Sequence, residues 1–278
     1  MRKALVRVGG GRSGRLVYWA YLVQGDVWSD ESSQLRSSGF RFLPRKDKLG
    51  IMCYLLGLKS ALEAMSSDLR RRGIHEQYLV KFYCINGKVD EVLSRWGYGL
   101  RDPLILGVVN AIKHLANSIG LLDLAKPRSA RVEEELRIFA ASQFYRRVNE
   151  ILRHARLWDS SNRDGYVVCV VPADSDDIPL ECLAKFLYRR EVRVLKQDRE
   201  SGELKGVVVV RECDGEHPHT RVFFYSPDGA GYVARIFKLL DSRYLNGRLA
   251  SRKSLCITRS TADVVEEVLA EAFEICKA

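Results

Sequence analysis

Two polar clusters in the second half of the chain have residue types that could ligate a cation. Asp174, Asp176 and Asp177 follow a predicted strand, and carboxylate oxygens are the ligands that hard cations prefer. His217 and His219, with acids at positions 214 and 216, could ligate a transition metal. Asp, Gly and Pro also stabilise polar turns, which explains both clusters without a ligand. We therefore predict no metal site and no cofactor.

Two glycine patterns could cradle a phosphate group. The motif GxGxxG from Gly9 to Gly14 matches a dinucleotide fingerprint, but a strand pattern follows it, where the fingerprint needs a helix whose amides face the pyrophosphate. We predict a glycine turn between two strands at Gly9–Gly14. The segment Asp228–Gly231 precedes a predicted helix with Arg235 and Lys238, which would suit a phosphate at the helix N-terminus.

The seven cysteines include no C-x-x-C pair and form no disulfide framework or zinc signature. Those at 53, 84, 169 and 256 lie within apolar runs, which is typical of buried, unreactive thiols. The longest apolar runs, 104–112 and 166–172, are shorter than the roughly 20 residues needed to span a bilayer. These features predict a cytoplasmic protein that does not contact a membrane.

The net charge of +10 is concentrated in the first half of the chain. Residues 1–145 contain 23 Lys and Arg against 14 Asp and Glu, whereas residues 146–278 contain 22 against 21. A basic half predicts a polyanionic partner, most simply nucleic acid. The 31 arginines against 14 lysines suit forked contacts to phosphate, although a GC-rich or thermophilic source would also explain them.

Hydrophobic periodicity divides the first half into three strands, a helix, a strand and further helices. Alternating apolar residues predict strands at Ala4–Val8, Arg15–Val23, Gly39–Leu43 and Tyr78–Ile85. Spacings of three and four predict helices from about Lys48 to Leu69, at Val89–Trp96, from the Asp102-Pro103 pair onward, and from about Arg131 to Arg153. This order of strands and helices predicts an α/β domain for the first half of the chain.

A polar segment at 158–165 separates this half from a second domain. We predict domains at residues 1–153 and 160–278, the second of them a smaller α+β domain. Its strands are predicted at Tyr166–Val171, Val192–Gln197, Glu203–Arg211, Thr220–Tyr225 and Ser254–Thr258, and its helices at Pro179–Arg189, Gly231–Leu240 and from Ser260 onward.

The order of elements over residues 1–145 resembles that of the type I ribonucleases H. The run LLGLKSAL at Leu55–Leu62 is similar to the family's first helix, and Val80–Leu104 to its fourth strand and the helix starts that follow. Pro127-Arg128 followed by Glu135 resembles its late turn and acidic helix start. The resemblance implies a ribonuclease H-like fold for the N-terminal domain and a surface that binds nucleic acid.

The resemblance also implies two-metal hydrolysis by four carboxylates, and the matching positions here have mostly lost them. They fall at Val8 or Gly9, at Met52, at Asn86 and at Glu135. One acid cannot hold a pair of hard cations, because several anionic oxygens must converge on them. We therefore predict a catalytically degenerate domain with no catalytic residues.

These observations predict a nucleic-acid-binding protein that contacts the phosphates of RNA or of a structured duplex, with a protein partner for the second domain. The predicted contacts are Arg12, Arg15, Arg41, Arg45, Lys46, Lys48, Arg70, Arg71, Arg72, Asn86, Lys88 and Arg128. One alternative is a metal-dependent nuclease, either ribonuclease H-like or of the homing-endonuclease type that Tyr54–Leu58 resembles. The other is a structural subunit of a ribonucleoprotein or replication assembly.

Overall fold

A computed structural model describes residues 1–47, 49–126, 129–158, 166–171, 177–180, 182–187, 206–212, 220–225 and 255–257. The chain divides into two units, Met1–Arg146 and Arg147–Ala278. None of the helices in these ranges is long and apolar enough to cross a membrane.

The first unit is built on a five-stranded mixed sheet. Its strands are β1 (Arg2–Ser13), β2 (Leu16–Gly25), β3 (Leu35–Phe42), β4 (Tyr78–Tyr83) and β5 (Gly120–Ala125), in the spatial order β3-β2-β1-β4-β5. β1, β2 and β3 are antiparallel neighbours, whereas β4 is parallel to β1 and β5 is parallel to β4. Parallel neighbours need long crossover connections, and helices supply them.

Four helices accompany this sheet. They are α1 (Met52–Arg71), α2 (Gly87–Ser94), α3 (Pro103–Ile119) and α4 (Arg131–His154), the last of which begins in the first unit and ends in the second. α1 and α3 pack in the main core, to which alternate residues of β1 contribute Ala4, Val6 and Val8. α1 approaches the sheet closely, because a Cβ at Gly57 would overlap the side chain of Val8.

α4 covers the other face of the sheet. Its residues Leu136 and Ala140 pack with Ala20 of β2, and the ring of Phe144 lies 5.1 Å from that of Phe40 in an edge-to-face arrangement. The apolar face of α4 therefore lies over the three antiparallel strands, where it excludes water from both surfaces.

The predicted order of elements in the first half is confirmed, but the predicted turn at Gly9–Gly14 is wrong. β1 continues to Ser13, and only Gly14 and Arg15 form the turn. The glycines at 9, 10 and 11 are extended and paired with β2, and a Cβ there would overlap α4, Cys53 or the Tyr18 side chain, so only glycine fits at these positions. β5 was not expected, and it begins at Gly120 directly after the last residue of α3, with no loop between the two elements.

The second unit contains another five-stranded sheet. Its strands are β6 (Arg156–Trp158), β7 (Tyr166–Val171), β8 (Gly206–Glu212), β9 (Thr220–Tyr225) and β10 (Leu255–Ile257), in the order β10-β9-β8-β7-β6. β7 and β8 are parallel, and the other neighbours are antiparallel. The predicted strands at β7 and β9 are confirmed with the same bounds, whereas β6 was not expected.

Several predictions for the second half lie outside the described residues. They are the strand at Val192–Gln197, the helices at Gly231–Leu240 and from Ser260 onward, and the ligand candidates at 174, 176, 214–219 and 228–231. Asp177, the described member of the acidic cluster, accepts a hydrogen bond from Arg147 Nε at 2.9 Å.

Candidate nucleic-acid interface

Five of the predicted cationic contacts lie at one end of the first sheet. We call Arg12, Arg15, Arg41, Arg45 and Lys46 the hairpin-end patch. β1 ends, β2 begins and β3 ends at the same level, because Ser13 is paired with Leu16 and Leu16 with Phe42. The Leu43 amide also donates to the Arg15 carbonyl at 2.8 Å. The topology thus gathers residues from two separate segments of the sequence, 12–15 and 41–46, at the ends of three strands.

Asp47 lies beside the hairpin-end patch, and its buried carboxylate is occupied by backbone amides. The amides of Leu49, Gly50 and Met52 donate to it at 3.1, 3.0 and 2.8 Å. Arg12 donates to the Asp47 carbonyl oxygen. Because Asp47 already accepts from the amides that lead into α1, this helix start is internally capped and does not offer those amides to a phosphate.

Asp102 is the second carboxylate close to the hairpin-end patch. Its Oδ1 accepts from Arg45 Nη2 at 2.7 Å and from the Leu104 amide at 3.0 Å, so it also caps α3. Desolvation raises the pKa of Asp102, but these hydrogen bonds outweigh it and hold the pKa below its ordinary value. Asp102 therefore offsets part of the positive charge of Arg45 through this ion pair.

The other cations of the patch remain available for a ligand. Arg15, Arg41 and Lys46 are exposed, and they form no ion pair within the ranges that the structure describes. Exposed guanidinium groups can make forked, charge-assisted hydrogen bonds to phosphate oxygens. The hairpin-end patch therefore has both the charge and the donors for a phosphate backbone.

The remaining predicted contacts behave differently from one another. Asn86 and Lys88 follow β4, which is parallel to β1 but ends at Tyr83, opposite Arg7 in the middle of β1 and before the hairpin end. The Asn86 side chain accepts from the Lys88 amide at 3.0 Å and caps α2, so its oxygen has a structural role. The Lys88 side chain is exposed. Lys48 and Arg128 lie outside the described residues.

The arginines at 70–72 lie at the other end of α1, which is 20 residues and therefore about 30 Å long. Arg71 Nη2 and Arg72 Nε donate to the Asp68 carboxylate at 3.2 and 2.8 Å. Asp68 is buried and also accepts from Trp28 Nε1 at 3.0 Å. This arrangement separates the three arginines from the hairpin-end patch and explains two of them as part of a helix-terminal network.

The positions that match the family's metal ligands do not fit a metal pair. Val8 and Met52 are buried in the apolar core, and Gly9 lies under α4. Asn86 caps α2, and Glu135 is exposed in an ion pair with Arg131 at 2.9 Å. Within the part of the chain that the structure describes, no group of three or more His, Cys, Asp or Glu residues could hold a metal ion.

Glu133, and not Glu135, is the acid that α4 directs toward the sheet. Its side chain is fully buried, and Arg7 Nη1 lies 3.2 Å from its Oε1. The Arg7 guanidinium also lies 4.9 Å from the centre of the Tyr83 ring, within cation–π distance. Sequence reasoning missed Glu133, although its spacing from Leu136 places it on the apolar stripe of α4.

Two thiols and one carboxyl of the first unit, those of Cys53, Cys84 and Asp90, have raised pKa values. Burial raises the pKa of Cys53 and of Cys84 to about 12. The predicted burial of cysteines at 53, 84 and 169 is confirmed. Burial also raises the pKa of Asp90, and the charge of Lys126 opposes this rise. Neutral thiols are poor nucleophiles and poor metal ligands, so these cysteines are structural.

The sheet and its helices define the class of the first unit as an α/β unit with a mixed sheet and helices on both faces. Its antiparallel strands β1 to β3 are followed by two parallel strands, in the order β3-β2-β1-β4-β5. This is the arrangement that the sequence resemblance implied, and the first unit has a ribonuclease H-like fold.

Scans of the sequence match no family model and no curated protein. Solved ribonuclease H structures are similar to about half of the chain. The N-terminal RNase H domain of a Mycobacterium tuberculosis protein is 17% identical, with 52% of this chain and 99% of that chain covered and a TM-score of 0.36. The RNase H1 of the archaeon Halobacterium salinarum is 14% identical, with 51% of this chain and 98% of that chain covered and a TM-score of 0.36. An RNase H1 solved in complex with an RNA/DNA hybrid is 14% identical, with 51% of this chain and 99% of that chain covered and a TM-score of 0.36.

Proposed function

We propose that the first unit binds nucleic acid through phosphate contacts at the hairpin-end patch. The observation that carries this proposal is the clustering of five cations from two segments, of which Arg15, Arg41 and Lys46 have no carboxylate partner in the described ranges. The charge of the unit supports it, with 24 Lys and Arg against 14 Asp and Glu in residues 1–146 and 21 against 21 in the remainder. A polyanion is the partner that such a field favours.

The proposed ligand is RNA or a structured duplex, bound without hydrolysis. Cations on a rigid sheet end read the spacing of phosphates and not the edges of bases, so sequence preference should be weak. The loss of carboxylates at the positions that match the family's metal ligands supports binding in place of cleavage, and it also removes charges that would repel phosphates.

Salt-titrated binding of labelled single strands, duplexes and hybrids tests the proposal. Each phosphate contact adds roughly 0.7 to 0.9 to the slope of log affinity against log salt. The double variant Arg15→Gln/Arg41→Gln should lower the slope by roughly 1.4 to 1.8. The matched control Arg2→Gln/Lys3→Gln, which removes two cations at the start of β1 and so at the opposite end of the sheet, should leave it unchanged. Equal effects of the two variants would contradict an interface at the hairpin end.

A metal-dependent nuclease is the second candidate, and one observation favours it. Glu133 Oε2 and Asp90 Oδ1 are buried and have no hydrogen-bond partner within the described ranges. Incubation of labelled hybrid and duplex with Mg²⁺ or Mn²⁺ distinguishes the candidates. Cleavage that Glu133→Gln abolishes, while Glu135→Gln leaves it intact, would replace binding with hydrolysis as the function of the unit.

We further propose that the second domain, residues 160–278, contacts a protein partner. Residues 147–278 contain 21 Lys and Arg against 21 Asp and Glu, so their charge gives no preference for a polyanionic partner. Binding by the purified full chain separates a self-sufficient binder from a subunit that reaches nucleic acid only within an assembly. If the chain alone shows no salt-dependent affinity but a reconstituted assembly does, the assembly role is the correct one.

A further inference from the structure

The loop between α2 and α3 presents one aromatic side chain to solvent. The Tyr98 side chain is 89% exposed, which is the largest value among the exposed large hydrophobic residues in the described ranges. Its neighbours Trp96 and Leu100 pack against the main core. The loop is therefore anchored on both sides of a tyrosine that has no packing of its own.

The backbone of this loop adopts conformations that L-residues avoid. Trp96 has a φ of 48°, and it is the sole residue other than glycine with positive φ in the described ranges. Gly97 and Gly99, on either side of Tyr98, have φ of 76° and 86°. Trp96 follows the C-terminus of α2, where its amide donates to the Leu93 carbonyl and the Gly97 amide donates to the Val92 carbonyl, so its positive φ is that of a residue that ends a helix. The helix end and the two glycines together form a tight turn in which Tyr98 is the exposed side chain.

Backbone hydrogen bonds hold the loop in one conformation. The Gly97 amide donates to the Val92 carbonyl at 2.8 Å, and the Tyr98 amide donates to the Arg95 carbonyl at 2.9 Å. The Leu100 amide donates to the Gly97 carbonyl at 3.0 Å. Because the loop is already ordered, little conformational entropy is lost when a ligand contacts the ring.

The charge around Tyr98 favours an anionic ligand. Arg95 and Arg101 are exposed at the two ends of the loop, and Arg95 Nη1 lies 3.9 Å from the exposed carboxylate of Glu91. The next residue, Asp102, binds Arg45 at 2.7 Å and so joins this loop to the hairpin-end patch. The exposed ring therefore has one arginine at each end of its loop, and the residue after the loop contacts one member of the hairpin-end patch.

We propose that Tyr98 stacks on an unpaired base of the nucleic acid whose phosphates follow the hairpin-end patch, an inference that rests on the proposed function. An aromatic ring among cations is the combination that binds single strands, because every base has a π-face while the cations follow the backbone. Bases inside a duplex are already stacked on their neighbours. The ligand is thus a single strand, or a duplex with an unpaired end or bulge, of either RNA or DNA.

Binding of matched ligands tests this inference. Tyr98→Ala should weaken binding to a single strand or to a duplex with an overhang by roughly tenfold. It should leave the affinity for a blunt duplex and the salt slope unchanged, whereas Arg15→Gln/Arg41→Gln changes the slope. Tyr98→Phe should keep the wild-type affinity, because stacking needs the ring and not the hydroxyl. Tyr145→Ala, at an exposed tyrosine of α4, is the matched control. RNA and DNA versions of each ligand identify the sugar that is preferred.

Photo-crosslinking gives a second measurement that does not depend on affinity. An oligonucleotide with 5-iodouracil in the overhang should crosslink to the peptide that contains Tyr98, and the same base placed within the duplex should not. If wild type binds but Tyr98→Ala binds overhang ligands equally well, the stacking inference is wrong and the phosphate contacts stand. Equal losses on blunt and overhang ligands would also overturn it. If wild type binds none of the ligands at about 50 mM salt, the proposed function itself fails.

Discussion

Arg7 of β1 and Glu133 of α4 form a partly buried ion pair between the sheet and the helix that covers it. The guanidinium Nη1 lies 3.2 Å from Oε1 of a carboxylate whose side chain has no exposed surface. The pair lies beside Gly9, where the backbone of α4 is in direct contact with β1. The guanidinium of Arg7 thus compensates the charge of the buried Glu133 carboxylate.

Removal of Arg7 should destabilise the first unit more than removal of the charge of Glu133. Arg7→Ala leaves a buried carboxylate without its partner, which typically costs 3–5 kcal/mol. Glu133→Gln leaves only a guanidinium that is still partly exposed, and we expect a cost of about 1 kcal/mol. Urea unfolding at neutral pH measures both variants. A larger loss for Glu133→Gln than for Arg7→Ala would contradict the burial of this carboxylate.

Gly9→Ala should destabilise the fold, because the new Cβ would overlap the Glu133 carbonyl oxygen and α4 would have to move away from β1. We expect a loss of about 2 kcal/mol or more in the free energy of unfolding. Gly107→Ala is the matched control, since Gly107 lies inside α3 with no neighbouring atom within 4 Å of an added Cβ. This control should gain about 0.5–1 kcal/mol. If the two variants change stability in the same direction, the close contact between α4 and β1 is incorrect.

Cys53 and Cys84 should resist alkylation in the folded protein. Burial raises the pKa of both thiols to about 12, so the reactive thiolate is scarce at pH 8. Iodoacetamide labelling followed by peptide mass spectrometry should modify them only when urea unfolds the unit. Rapid labelling of either thiol in native conditions would show that the strand ends are open to solvent.

Periodicity and charge predicted much of this molecule, because both are local properties of the sequence. The spacing of leucines predicts α1, and the Asp102-Pro103 pair predicts the start of α3, whose cap is confirmed. The hairpin that brings Arg12 and Arg15 together also follows from alternating strand residues. The positions of Arg41, Arg45 and Lys46 in the hairpin-end patch follow once β3 is predicted to pair with β2.

Features that depend on packing between distant segments could not be predicted. Among three consecutive glutamates, spacing from Leu136 places Glu133 on the apolar stripe of α4, but its ion pair with Arg7 depends on how α4 docks on the sheet. The glycines of β1 have the composition of a turn, but they belong to a strand in which α4 and other groups occupy the space that side chains would need. Tyr98 carries no periodic signal, since its exposure depends on the backbone conformation of a short loop.

Asp102→Asn should strengthen nucleic-acid binding without loss of the α3 cap. Asparagine caps helices as well as aspartate does, while the lost charge releases Arg45 from its ion pair. Affinity should rise modestly and the salt slope should increase by up to about one contact. Asp102→Ala also releases Arg45 but removes the cap, so it should bind similarly while its free energy of unfolding falls by about 1 kcal/mol.

The pH dependence of stability provides the control for this pair of variants. The pKa of Asp102 is lower in the folded than in the unfolded state. Its ion pair and cap therefore stabilise the fold above the unfolded pKa, near 3.8, and this contribution is lost as the pH falls through the lower, folded pKa. Wild type should lose more stability than Asp102→Asn between about pH 5 and pH 2. Parallel unfolding curves for the two proteins over this range, or weaker binding by Asp102→Asn at neutral pH, would show that the Arg45–Asp102 contact does not restrain the patch.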